Sequence, residues 1–243
     1  MGETRLSVIV PVYNERANIE PTASGILEAF GSLAAECEIL FVDDNSPDGT
    51  ADEIVRTGRK FPQVKLVQHG KKEGLGAAHH AGYHAAEGQY VMCIDADFSQ
   101  APRDLLRMKE VLDAGHDLVV GSRYMKNGEQ VGKSLARDWG SKVMNAMTRV
   151  CLGIPLADST HTFRAFRKTV HESVCRHLNE KGHPSFQIQF TFWAVRSGFR
   201  VTEIPVRFVE RSADKGQSKL SIKRELLPFL RSISRLSLQR LVA

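Results

Sequence analysis

The sequence predicts an α/β domain in which a mostly parallel sheet carries helices on both faces. Short apolar runs alternate with amphipathic segments, as they do in successive βαβ units. The apolar runs predict strands near residues 6–12, 38–43, 64–68, 90–95 and 117–121. The segments between them predict helices near residues 17–35, 49–60, 75–87 and 102–114. With 243 residues, of which 42% are apolar, the chain is long enough for one substantial core.

The regular alternation weakens after Gly121. Residues 122–134 contain two glycines and several charges, which favours a mobile active-site loop. Further along, the patterns predict a helix over 135–152, a short strand over Thr162–Phe166, a helix over Phe186–Ser197 and a strand over Val201–Val209 that is interrupted at Pro205. We therefore expect one domain over residues 1–221.

The C-terminal segment, residues 222–243, predicts a basic amphipathic helix. At 100° per residue, Arg224, Arg231 and Arg235 share one face of that helix. Apolar side chains occupy the opposite face: Leu226, Phe229, Leu230, Ile233 and Leu236. Such a helix is suited to a membrane surface. The alternatives are that its apolar face docks on the domain or on a membrane-anchoring partner.

Charge and cysteine content narrow the class of protein. The net charge of +5 and the pI near 9.1 favour anionic partners. The basic residues are not interleaved with stacking aromatic residues, which disfavours nucleic acid. The four cysteines are far apart, and the sequence has no signal-peptide pattern and no apolar run long enough to span a membrane. We expect a cytoplasmic protein that is peripheral on the cytoplasmic face of a membrane.

Two acidic clusters each follow an apolar, strand-forming run. Asp43 and Asp44 follow the second predicted strand, and Asp95-Ala96-Asp97 follows the fourth. The carboxyl ends of strands in an open α/β sheet border the ligand crevice. Two adjacent carboxylates oppose each other's ionisation unless a cation lies between them, and oxygen ligands suit Mg²⁺ or Mn²⁺. The clusters therefore predict a site for a divalent metal and a nucleotide.

Several motifs resemble those of family-2 inverting glycosyltransferases of the GT-A fold, and within that family those of the dolichyl and polyprenyl phosphate mannosyltransferases that lack transmembrane helices. The resemblance spans about residues 6–221, and the motifs occur in this order: Pro11 to Glu15, Val42 to Thr50, Gly74 to Gly76, Asp95 to Asp97, Gly121 to Tyr124, Asp158 to Arg164, Phe186 to Ile188, and Phe208 to Leu220. The stretch from Arg211 to Lys219 is the most diagnostic of them.

The resemblance implies a role for each matching residue. It assigns the nucleotide sugar to Pro11, Tyr13, Glu15, Val42, Asp44, Asp95, Ala96, Asp97, Arg211 and Lys219. Asp95 and Asp97 would bind Mg²⁺ or Mn²⁺, and Asp97, Arg123 and Arg137 would form the catalytic group. Arg123, Arg137 and Ser141 would take the acceptor phosphate, since a planar guanidinium matches phosphate oxygens.

The implied reaction is metal-dependent transfer of mannose from GDP-mannose to a polyprenyl or dolichyl phosphate, with inversion. A lipid phosphate is already an oxyanion at neutral pH, so no strong general base is needed. Two alternatives stay open. One is transfer of glucose or another sugar from a UDP-sugar to a polyprenyl phosphate or to a soluble hydroxyl acceptor. The other is a non-catalytic module that binds a nucleotide sugar or a lipid phosphate. His80 and His84, an i,i+4 pair, are expected to have a surface or packing role, and His161 stands where relatives usually carry glycine.

Overall fold

The computed structural model describes residues 5–70, 73–179, 185–210 and 222–242. Its main sheet has seven strands in the order β3-β2-β1-β4-β7-β5-β8. These strands are β1 Leu6–Val12, β2 Cys37–Asp43, β3 Val64–Gln68, β4 Tyr90–Cys93, β5 Leu118–Ser122, β7 Arg164–Arg167 and β8 Val201–Pro205. A separate parallel pair joins β6 Glu129–Val131 to β9 Arg207–Val209. Apart from β7, the strands of the main sheet run parallel to their neighbours, so the predicted α/β class is confirmed.

Helices cover both faces of the main sheet. They are α1 Ile19–Phe30, α2 Thr50–Lys60, α3 Leu75–Ala85, α4 Arg103–Asp113, α5 Leu135–Met147, α6 Lys168–Val174, α7 Ser185–Arg196 and α8 Ile222–Val242. Side chains alternate between the faces of a strand. Accordingly, Val8 and Val10 of β1 lie in the apolar core shared with α1 and α4, whereas Ile9 lies in the opposite core shared with α3 and α7.

β7 runs antiparallel between β4 and β5. Its first residue, Arg164, is in register with Cys93 and Val120, near the carboxyl ends of the two neighbouring strands. Its last residue, Arg167, is in register with Tyr90 at the amino end of β4. The segment before β7 therefore lies at the same edge as the residues that follow β4 and β5.

Two predicted elements need correction. The predicted loop over residues 122–134 contains β6, whose backbone pairs with β9. A three-residue strand is too short to leave a periodic pattern, so the sequence does not reveal it. The predicted helix over 17–35 is an α-helix only from Ile19 to Phe30, with 3₁₀ turns on both sides. Gly31 ends α1 at φ 54°, a conformation that a residue with a Cβ adopts at a cost.

The C-terminal helix α8 is partly incorporated into the core. Phe229, Ile233 and Leu236 are buried in the same core as α7, which supports the docking alternative for this part of the predicted apolar face. Leu226 and Leu230, predicted on that same face, are 44% and 39% exposed. Across the described ranges, no helix combines the length and apolar character that a membrane crossing requires.

Candidate active site

The first acidic cluster organises the loop that follows β1. The Asp43 carboxylate is buried and accepts hydrogen bonds from the backbone N–H and the hydroxyl of Ser46. The Ser46 hydroxyl in turn accepts a hydrogen bond from the backbone N–H of Asn14, at 2.9 Å. Asn14 has φ 58°, so the chain turns sharply after Tyr13. Asp43 therefore holds the loop in place and is not itself available to a ligand.

Asp44 faces a histidine that the sequence did not indicate. Its Oδ1 lies 2.9 Å from Nδ1 of His69, which directly follows β3. The Asp44 backbone N–H also donates to the carbonyl oxygen of Val12, at 3.3 Å, so the residue is fixed at the end of β1. His69 is thus positioned to orient the carboxylate that the family resemblance assigns to the nucleotide.

The second acidic cluster is anchored by the chain that follows it. The Gln100 side chain donates to Oδ2 of Asp95, at 2.7 Å, and its Oε1 accepts from the Asp95 backbone N–H, at 3.0 Å. The hydroxyl of Thr162, just before β7, lies 3.4 Å from Oδ2 of Asp95. The backbone N–H of Ser99 donates to Asp97 at 3.0 Å. Gln100 and Thr162 therefore orient Asp95, while Ser99 orients Asp97 through its backbone.

The carboxylate pair fits a hard divalent cation. Burial and the neighbouring charge of Asp97 raise the pKa of Asp95 to about 6. Burial is the larger cause of that shift, and repulsion between the two close carboxylates adds to it; a cation between them would oppose both effects. Oxygen ligands are those that Mg²⁺ and Mn²⁺ prefer, and Mg²⁺ sites commonly combine one or two carboxylates with substrate phosphates. Asp95 and Asp97 thus match the metal expected from the sequence.

An open pocket connects the loop after β1 with the second acidic cluster. Its volume is about 1140 Å³, and both Glu15 and Asp97 line it. Phe98, beside the metal-binding candidates, has φ 59° and is 53% exposed at the pocket wall. The volume exceeds the range of roughly 300–1,000 Å³ common for small-molecule sites. Of the predicted donor-site residues that the structure describes, Glu15 and Asp97 line this pocket, and its other walls come mainly from the 3₁₀ turn after Glu15, from α1 and from α2. The pocket therefore borders the predicted nucleotide and metal residues on the α1 side.

Arg123 is held by a carboxylate that sequence reasoning did not assign to it. Nε and Nη2 of Arg123 donate to the two oxygens of Asp158 at 2.7 and 2.9 Å, and the Arg123 backbone N–H donates at 3.2 Å. Asp158 is fully buried. Burial opposes ionisation of Asp158, but Arg123 outweighs it and holds the pKa of this carboxyl well below its usual range. Asp158 thereby fixes the orientation of Arg123 at the end of β5.

His161 lies in the turn before β7, at the position where the resemblance implied glycine. Its ring is buried, and Nδ1 lies 2.6 Å from the carbonyl oxygen of Gly121. Burial and the charge of Arg123 lower the pKa of His161 to about 3, so the ring is neutral and Nδ1 donates to that carbonyl. His161 therefore ties the segment before β7 to the end of β5, and its role is structural.

A cationic group lies beyond Arg123. The Lys133 ammonium donates to the Ser141 hydroxyl at 2.7 Å, and Arg137 forms an ion pair with Glu210. Burial and the charges of Arg123 and Arg137 lower the pKa of Lys133 to about 8. Lys133 was not predicted, yet it contacts Ser141 directly. Cations that depress one another's protonation in this way create a favourable place for an anion such as a phosphate.

The structure brings together most of the predicted site residues at one edge of the sheet. Pro11 and Val42 lie opposite each other in the register of β1 and β2, and Asp44 follows them. Arg123 is close enough to Asp95 for its charge to lower the pKa of that carboxyl against the effect of burial. Arg211 and Lys219 lie outside the described residues, and their predicted contact with the donor diphosphate stays a prediction.

The mostly parallel sheet with helices on both faces agrees with the GT-A fold that the resemblance implied. The fold matches that of glucosyl-3-phosphoglycerate synthase from Mycobacterium tuberculosis, which was solved in complex with Mn²⁺, UDP and glucosyl-3-phosphoglycerate. The TM-score is 0.65 and the sequence identity is 18%, and the match covers 95% of this chain and 80% of that chain. More specifically, residues 7–175 match the family described as Glycosyl transferase family 2, and the chain belongs to that family.

Two curated relatives extend over most of the chain. Polyprenol monophosphomannose synthase from Mycolicibacterium smegmatis is 38% identical over 224 residues, which are 89% of this chain and 81% of the relative. Undecaprenyl-phosphate mannosyltransferase from Micrococcus luteus is 34% identical over 220 residues, 89% of this chain and 88% of the relative. The family resemblance inferred from the motifs is therefore confirmed.

Proposed function

We propose that this protein transfers mannose from GDP-mannose to a polyprenyl phosphate in a metal-dependent reaction that inverts the anomeric carbon. The observation that carries the proposal is the placement of the Asp95–Asp97 pair near the cationic group of Arg123, Lys133 and Arg137, to which Ser141 adds a hydroxyl. A site with acidic metal ligands on one side and clustered cations on the other suits two phosphorylated substrates. The names of the two curated relatives support mannose and a polyprenyl phosphate.

The donor is proposed to bind across the carboxyl ends of β1, β2 and β4. Glu15 and Asp44 offer carboxylate oxygens to the hydroxyls of the nucleoside, and His69 keeps the Asp44 side chain in place. Asp95 and Asp97 would hold Mg²⁺ or Mn²⁺, which neutralises the diphosphate leaving group when bound. Gln100 and Thr162 restrict rotation of the Asp95 carboxylate, so its oxygens are oriented before the donor arrives.

The acceptor phosphate is proposed to bind at the cationic group. Asp158 engages Nε and Nη2 of Arg123, which leaves Nη1, now 3.4 Å from Gln130, as the edge for a phosphate oxygen. Lys133 and Ser141 add an ammonium and a hydroxyl beside it. Arg137 would exchange its ion pair with Glu210 for the phosphate. These contacts would orient a phosphate oxygen towards the anomeric carbon.

The chemical step is a direct displacement. An oxygen of the lipid phosphate forms the new bond to C1 of mannose, and the bond from C1 to the nucleotide diphosphate breaks. The phosphate oxygen carries its own negative charge, so no side chain has to remove a proton. The protein contributes positioning and charge stabilisation. Inversion of an α-linked donor yields a β-linked polyprenyl-phosphate mannose.

A transfer assay tests the proposal directly. Radiolabelled GDP-mannose, polyprenyl phosphate and Mg²⁺ or Mn²⁺ are expected to give an organic-soluble product, and Asp97→Ala is expected to abolish it. Asp52→Ala is a matched control, because Asp52 is an exposed carboxylate on α2. UDP-glucose and other UDP-sugars, tested in parallel, identify the donor. Equal product without metal and in Asp97→Ala protein would contradict the proposed metal role. Absence of turnover with every donor would favour the non-catalytic binding module.

We also propose that the protein works at a membrane surface, because its acceptor is a lipid. The outer side of α8 presents Leu227, Leu230 and Leu238 together with Arg231. Co-sedimentation with vesicles of anionic lipid is expected to retain the protein, with weaker retention at high salt. A Leu227→Ser/Leu238→Ser variant is expected to bind less. Unchanged retention of that variant would rule out this face of α8.

A further inference from the structure

Three histidines from two helices meet on the α3 side of the sheet. His80 and His84 lie one turn apart on α3, and His171 lies on α6. One ring nitrogen from each lies within 4.8 Å of the other two. The ring centroids are 4.5 Å apart for His80 and His84, and 4.7 Å apart for His84 and His171. The sequence suggested a surface or packing role for the pair on α3, and it did not indicate that His171 lies beside them.

The spacing of the nitrogens suits a tetrahedral metal ion. Nε2 of His80 and Nε2 of His84 are 3.2 Å apart. Two nitrogens bound to one zinc ion at 2.0–2.1 Å with a tetrahedral angle are about 3.3 Å apart. At 3.2 Å one of the two rings donates a hydrogen bond to the other, and the same distance matches that of two ligands on one tetrahedral ion. A metal ion would replace the shared proton, and His171 would have to approach.

His171 supplies an independent observation. Its side chain is buried, and its Nε2 has no hydrogen-bond partner among the described residues. A buried polar nitrogen without a partner is costly, and a metal ion would satisfy it. A metal ligand has to be a neutral imidazole, whose lone pair is available to the ion.

The helix that carries two of these histidines is firmly seated. A Cβ on Gly82 of α3 would lie 2.4 Å from a methyl carbon of Ile9, so the helix backbone approaches β1 too closely for any larger residue. Such close packing limits the movement of α3 against the sheet, and His80 and His84 project from the side that meets α6 and Phe186. The two-histidine part of the cluster is therefore preorganised.

We propose that His80, His84 and His171 form a binding site for one transition-metal ion of the Zn²⁺ class. Imidazole suits Zn²⁺, Co²⁺, Ni²⁺ and Cu²⁺, whereas Mg²⁺ and Mn²⁺ prefer oxygen. His84 is exposed, which provides an entry route and leaves a fourth position for water. α3 ends and α6 begins near the amino end of β4, whereas Asp95 follows its carboxyl end. The ion would therefore join α3 to α6 and take no part in sugar transfer.

Cobalt titration tests the site in the full chain, prepared without a histidine tag and stripped with a chelator. In excess Mg²⁺, the protein is expected to bind one equivalent of Co²⁺ with visible absorption bands of a low-coordinate, nitrogen-ligated ion, and Zn²⁺ is expected to displace it. His84→Gln is expected to weaken binding by at least about tenfold, since loss of a residue that only orients a metal ligand already costs that much. His177→Gln is the matched control, because that ring stacks on Trp193 instead.

Two further variants decide between sites. His80→Gln/His84→Gln removes both α3 ligands without changing the buried His171. Asp97→Asn breaks the carboxylate pair and is expected to leave the absorption bands and the stoichiometry unchanged. Zn²⁺ is expected to raise the melting temperature of the wild type and not that of the double variant. The proposal is overturned if the wild type takes up no Co²⁺, or if the double variant binds it as tightly as the wild type.

Discussion

The ion pair between Arg123 and Asp158 allows a quantitative prediction. The side chains are 10% and 0% exposed, so water cannot replace a partner that is lost. In Asp158→Asn, the new amide group must turn its NH₂ towards Nε or Nη2, and a donor then faces a donor. Removing one partner of a buried pair costs about 3–5 kcal/mol. At roughly 2–4 °C per kcal/mol for a chain of this size, the melting temperature should fall by roughly 6–20 °C.

Urea and thermal unfolding, followed by circular dichroism, measure this loss. Asp138→Asn is the control, because Asp138 pairs with Lys142 one turn away on α5 and the two side chains are 20% and 56% exposed, so water reaches this pair. That change should cost only about 1 kcal/mol or less. A double-mutant cycle with Arg123→Met isolates the coupling. The reasoning is refuted if Asp158→Asn costs no more than Asp138→Asn.

Three further predictions concern single side chains. Because the pKa of Lys133 is about 8, its positive charge is lost as the pH rises through that value. The kcat/KM for the lipid phosphate should therefore fall as the pH rises through about 8. Lys133→Arg should move this fall to higher pH. If the same fall persists in Lys133→Met, Lys133 is not the group that causes it. Gly82→Ala should lower the free energy of unfolding by about 1–3 kcal/mol through overpacking. Gly25→Ala is the control, because a Cβ at Gly25 would meet no atom within 4 Å, and it should instead stabilise α1 by up to about 1 kcal/mol. Urea titrations measure both changes, and equal effects would contradict the packing argument. Phe229→Ala should cost about 3–5 kcal/mol, whereas the exposed Leu238→Ala should stay within about 0.5 kcal/mol; a small loss for Phe229 would show that α8 is dispensable to the core.

The strands β1 and β2, which carry or precede the predicted nucleotide-binding residues, were predictable because their sequence pattern is strong. β1 and β2 are apolar runs that end in polar loops, and both occur within a residue of their predicted bounds. The carboxyl ends of these strands meet at one edge, which is why Asp44 and Asp95 could be assigned to a ligand crevice. For these residues, the local sequence pattern and the position in the folded sheet lead to the same assignment.

The contacts that complete the site were less predictable, because they join distant parts of the chain. Asp158 lies 35 residues from Arg123, and His69 lies 25 residues from Asp44. Single polar residues in loops have no periodicity, so the sequence contains no sign of these pairings. Lys133 was overlooked for the same reason, since only the folded loop brings it to Ser141. The histidine cluster likewise needs α6 to be placed beside α3.

The antiparallel strand β7 has a consequence for how the chain folds during synthesis. β1 to β4 form a continuous array whose members all lie before residue 94. β5, in contrast, pairs only with β7 and β8 in the main sheet, and both are made later. Residues Leu118–Ser122 therefore leave the ribosome with no strand to pair with until Arg164–Arg167 has followed. The half that carries Asp44 and Asp95 can assemble first, and the half that carries Arg123 has to wait, with an apolar strand exposed to chaperones and to aggregation in the interval.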